Sequence, residues 1–202
     1  AFAAGGAVIG VAKLYVADLG GGDAAYGVVF GAVFVGMALG MFFGLRLLSG
    51  LSRRRLFGLS LVVAGVVLAA IALVHNLVIV VILTVMLGAC AGIAWIIGYT
   101  LIGLEVEDAL RGRTFSFLQS TARVTLLLVV SVANPVAALF GQRGVDLGAL
   151  SYQFNGTNLV LLLGGVLAVV VGILGLRHMD DRKGVPVLAD LIAALRGEKY
   201  RP

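Results

Sequence analysis

Glu105, Glu107 and Asp108 stand just ahead of Arg111 and Arg113, five charges within nine residues of an otherwise oily chain. Carboxylates and guanidinium groups at this spacing can pair with one another or with the run Arg53, Arg54, Arg55. That is the chemistry of an electrostatic latch, each exposed pair contributing at most about 1 kcal/mol. Arg123 is different, a lone cation about ten residues into an apolar run and roughly 15 Å along its axis if that run is helical. It suits an anionic or polar group. Covalent catalysis needs a nucleophile with a base beside it, and the only histidines, His75 and His178, fall outside the apolar runs. An intramembrane enzyme is therefore not expected. Cys90 is the single cysteine, which excludes an internal disulfide and leaves no zinc spacing. No metal site or cofactor is expected.

The elements that carry these residues follow from composition. Of 202 residues, 61% are hydrophobic and only 12% charged, and mean hydropathy is +1.12. Soluble domains carry about a quarter charged residues, so lipid is the solvent. Apolar runs of about 20 residues cross the hydrocarbon core as helices. Six are expected, over about 2–19, 24–48, 56–74, 77–104, 114–141 and 156–176. The alternating ten-residue segments of a membrane barrel are missing. The fold class is thus all-α, a polytopic membrane protein of six transmembrane helices. Residues 1–178 form the bundle, and 179–202 a cytoplasmic tail with a short amphipathic helix or a plain linker. The first and third connections are tight turns, Gly20–Asp23 and His75-Asn76, and residues 141–155 read as the longest loop.

Positive residues in short loops remain on the cytoplasmic side. Putting both termini there collects twelve of the fifteen basic residues on that side, against Arg143 alone on the other. Nucleic acid is not an expected partner, because no basic face interleaved with aromatics is present. The lipid bilayer is.

Within the spans, Gly27, Gly31, Gly36, Gly40 and Gly44 are expected to form a small-residue ridge for close helix contact, with Gly88, Gly92, Gly165, Gly172 and Gly175 as further contact points. A mid-bilayer arginine costs about 2.5–3.5 kcal/mol, and Leu126 to Val130 return about 0.3–0.6 each, so the span with Arg123 still inserts. Arg123, Tyr99, Trp95, Gln119, Asn134 and Lys13 are the candidates for a solute path, with Lys13 near enough to a span end to snorkel. Asn134-Pro135 is expected to interrupt the backbone bonding of the fifth span. No acid lies deep in any span, so any proton coupling is expected to use a carboxylate outside this chain, or Asp18 or Glu105 reached through water.

Gly44-Leu-Arg46-Leu-Leu-Ser-Gly-Leu-Ser-Arg53-Arg54-Arg55 resembles the loop between the second and third helices in each half of a major facilitator superfamily transporter, Gly-x-x-x-Asp-Arg-x-Gly-Arg-Arg-Arg. Ser49 stands at its Asp position. Arg111-Gly-Arg113, with Gln119 beyond, is similar to the family's next cytoplasmic loop. The resemblance implies the C-terminal half of a twelve-helix transporter. Gly44, Arg46, Arg53, Arg54, Arg55, Glu105, Glu107, Asp108, Arg111 and Arg113 then form a cytoplasmic gate. It also implies an N-terminal six-helix half as partner and secondary transport by alternating access. Residues 105–119 and the tail from Arg177 to Pro186 resemble actinobacterial chains that join such a transporter to a thymidylate kinase. No Gly-x-x-x-x-Gly-Lys-Ser/Thr is present, so a kinase domain would lie beyond this chain. The start at Ala1 is read as a fragment of a longer protein in the cell membrane. The alternative function is a membrane anchor for the fused enzyme, with transport lost.

Overall fold

The computed structural model describes residues 2–44, 46, 51–140, 142–147, 150–179 and 190. The order is α1 (Phe2–Asp18), α2 (Asp23–Leu39, continued by a π-helical turn at Gly40–Gly44), α3 (Arg53–Leu73), α4 (Leu77–Glu105) and α5 (Asp108–Phe140). A hairpin of β1 (Gln142–Leu147) and β2 (Leu150–Asn155) leads into α6 (Gly156–His178). Among the described residues the regular structure is helical except for that antiparallel pair, which corrects the expected loop over 141–155. Among the described residues five helices, all but the 17-residue α1, are long and apolar enough to cross a membrane. The expected tail helix and Ser49 lie outside the described residues.

Local chemistry sets the turns. The chain leaves α1 through Gly20 at φ +76°. The Gly20 and Gly21 N–H groups donate back to Ala17 and Val16 carbonyls at 2.9 Å, an αL helix stop that glycine makes without strain. Asn76 starts α4 by accepting from the Val78 and Ile79 N–H groups at 3.0 and 3.2 Å. Ser52 starts α3 by accepting from the Arg55 N–H at 3.3 Å. Both satisfy orphan donors of a first turn. α5 begins at Asp108 rather than near 114, because its charged first turns are helical without being apolar. Helix α5 also runs through Pro135 to Phe140, so the proline removes one backbone donor without ending the helix.

The closest packing is α3 on α6 and α2 on α4. At the second seam a Cβ on Gly36 or Gly40 would lie 2.1 Å from the Val85 or Ala89 carbonyl oxygen. From the other side, a Cβ on Gly88 or Gly92 would lie 2.2 or 2.4 Å from the Val33 or Met37 oxygen. Backbone therefore meets backbone, as small residues allow between membrane helices. Gly27 and Gly31 face open space instead, so only the second half of the expected ridge is a contact. One core (Val11, Tyr15, Leu68, Ile71, Val80, Leu161) fills the end opposite the arginines, and a second (Leu51, Leu56, Ile97, Leu101) fills the arginine end. The Tyr15 hydroxyl donates to the Ile71 carbonyl and lies 2.8 Å from that of Val74, tying α1 to the end of α3.

Candidate functional site

Two groups of polar residues stand out, and helix phase explains both. On α5, Phe115, Gln119 and Arg123 recur every fourth residue, and Asn134 returns to the same line eleven residues on. Gln119, Arg123 and Asn134 are all exposed. Arg123 makes no hydrogen bond or ion pair with a described residue. Only Ala122, Ala133 and Ala137 of α5 are buried, so this helix rests on its neighbours by alanines and presents outward this polar stripe, interrupted between Arg123 and Asn134 by Leu126, Leu127 and Val130. The stripe is bordered by Trp95 and Tyr99 of α4. Tyr99 stacks on Phe115 with centroids 5.6 Å apart and planes 5° apart. Trp95 lies 5.2 Å from Tyr99 and meets Phe2 of α1 edge-on at 5.7 Å. An aromatic run thus joins α1, α4 and α5 beside Gln119. Lys13 is not part of this group. Its Nζ lies 2.9 Å from an Asp23 carboxylate oxygen, across the turn between α1 and α2.

The second group is the arginine end. Three arginines in the first turn of α3 oppose its macrodipole, as does Glu105 in the last turn of α4. Arg54 and Glu105 relieve each other at 2.5 Å, 41% and 53% exposed. Arg111 pairs with Asp108 at 2.7 Å and donates to the Gly103 carbonyl at 2.9 Å, closing the connection between α4 and α5. Arg46 sits 4.6 Å over the Phe42 ring. Glu107, Arg53 and Arg113 are exposed and make no ion pair with a described residue. Gly44 packs against the Ile93 side chain. Arg55 turns inward to Asp190 at 2.9 Å, a partner that sequence spacing does not reveal.

A concavity of about 360 Å³ lies between α1, α5 and α6 and is lined by Ala, Val, Leu and Gly alone. Without polar groups it cannot orient a polar solute. Among the described residues no three His, Cys, Asp or Glu side chains gather to hold a metal.

The sequence profile described as Major Facilitator Superfamily matches residues 1–193. No curated protein and no solved structure matches the chain.

Proposed function

The chain belongs to the major facilitator superfamily and is a multi-pass membrane transporter domain, and from that premise we propose that it is one of two six-helix bundles of a secondary transporter. In this reading α1 is the sixth span. At about 26 Å it is slightly short of a hydrocarbon core of about 30 Å, a mismatch that local bilayer thinning accommodates. The arginine end and both termini face the cytoplasm. A partner bundle covers the outward stripe of α5, and a small polar or anionic solute passes between the two bundles by alternating access. Arg123 meets the solute, Gln119 and Asn134 line its way, and Trp95 with Tyr99 wall it. The pairs at Glu105 and Asp108 steady the cytoplasmic end when it is shut. Lys13 serves the turn at Asp23 instead.

The observation that supports this best is the amphipathic surface of α5. A stripe bearing Gln119, Arg123 and Asn134 is too polar for hydrocarbon, where an arginine is costly. It must meet water or protein, whereas the outward faces of α3 and α6, with Val66 and Val166, suit lipid. The check is cysteine reactivity in native membranes, with Cys90→Ser removing the natural thiol. Gln119→Cys and Asn134→Cys are expected to react with a water-soluble maleimide at least tenfold faster than Val66→Cys and Val166→Cys, roughly the ratio that 1.4 kcal/mol of exposure preference gives. Equal rates at all four positions contradict a water-lined path.

A second reading, an anchor for a fused thymidylate kinase that no longer transports, draws support from the run 24–104, which contains no acid at all. Flux in vesicles holding the whole protein, with Arg123→Ala as control, separates the two.

A further inference from the structure

We infer that the arginine end of α3 is a docking surface for the C-terminal part of this same chain, with Asp190 on Arg55 as the anchor. No carboxylate occurs between Asp23 and Glu105, so Arg53, Arg54 and Arg55 have no counter-charge in α3 or in the connections on either side of it. The first turn of a helix already carries partial positive charge, which makes cations there unfavourable. Arg54 answers this with Glu105 in a half-exposed pair. Arg55 cannot use the same answer, because its side chain is 0% exposed. A guanidinium removed from water needs a matched ion beside it, and losing that ion leaves a heavy desolvation penalty.

Asp190 supplies the match from 135 residues away, with its Oδ2 2.9 Å from Arg55 Nη1 and its own side chain 1% exposed. Burial of both ions distinguishes this contact from a chance surface pair, whose partners stay wet. Leu51 and Leu56, close to Arg55 in sequence, belong to one buried apolar cluster, and Met179, just past α6, packs on it. The chain therefore leaves α6 alongside this end of the bundle and is back against it at 190. Adjacent arginines take separate duties, Arg54 joining α3 to α4 and Arg55 joining α3 to residue 190. None of this depends on which solute, if any, crosses the membrane.

The test uses the full chain in native membrane vesicles, with Cys90→Ser, Arg53→Cys and Ala189→Cys and a short bis-maleimide. Position 53 is exposed in the same first helical turn as Arg55, and 189 precedes the anchor. An intramolecular cross-link is expected, read as a mass shift. Adding Asp190→Asn is expected to slow it at least about tenfold, since breaking a buried pair is strongly unfavourable. Arg55→Lys, which keeps the charge, is expected to cross-link faster than Arg55→Gln. If Arg55→Gln does not fold, Asp190→Asn decides alone, because 190 lies outside the six helices. No cross-link in the parent, or a rate indifferent to Asp190→Asn, overturns the inference.

Discussion

Arg54 and Arg55 are neighbours in sequence and live in different solvents. The Arg54–Glu105 pair is about half in water, where salt screens it. The Debye length falls from about 8 Å at physiological ionic strength to about 3 Å at 1 M. The Arg55–Asp190 pair excludes water and is screened much less. Glu105→Gln is therefore expected to lower stability by under about 1 kcal/mol at low salt and by nothing measurable at 1 M. Asp190→Asn is expected to cost about 3–5 kcal/mol at both. Thermal melting in detergent at two salt concentrations reads the difference. A parallel salt response in the two variants would mean that water reaches Arg55. The sequence places the charges of the first pair in facing connections, so that pairing was open to reasoning. The second joins positions 135 apart, and nothing in the spacing of Asp190 distinguishes it from Asp180 or Asp181.

At the scale of elements, the seam between α2 and α4 depends on missing side chains. Gly88→Val would put a Cβ 2.2 Å from the Val33 carbonyl oxygen, and backbone cannot step aside as a side-chain tip can. The helices must separate, with a loss of about 1–3 kcal/mol or more. Gly31→Ala meets nothing within 4 Å and should stay within about 1 kcal/mol of the parent, helix propensity included. Melting of the two variants side by side checks the contrast. Four-residue spacing makes such a ridge readable but not its extent, since Gly27 and Gly31 share the spacing and face open space. Gly58 and Gly65 on α3 went unread, although they share the seven-residue spacing of Gly165 and Gly172, the α6 glycines they meet. The hairpin was a missed signal of another kind. Val145 and Leu147, then Leu150, Tyr152 and Phe154, alternate with a period of two, hidden by the glycines and polar residues around them.

The whole molecule wears apolar side chains outside as well as inside, from Val28 and Phe34 on α2 to Leu163 and Val170 on α6. Composition made that legible, because a chain with so few charges has no other way to meet its solvent. Which outward face meets lipid and which meets protein was not legible, since both are described by the same residues. Sidedness is the measurable consequence. Arg53→Cys and His75→Cys lie at opposite ends of α3 and its turn. An impermeant thiol reagent is expected to reach the first only from the cytoplasm and the second only from outside. Both positions reacting from one side would mean that the helix between them does not cross.

The π-helical turn at Gly40–Gly44 sets the phase of Arg46 just beyond it. Bonding to the fifth residue instead of the fourth accommodates one extra residue in a single turn, so the continuation is offset by about one position, roughly 100°. Arg46 and Phe42 are thus aimed by the wide turn, not by the winding of residues 23–39. The winding therefore shifts by one residue between the seam at Gly36 and Arg46.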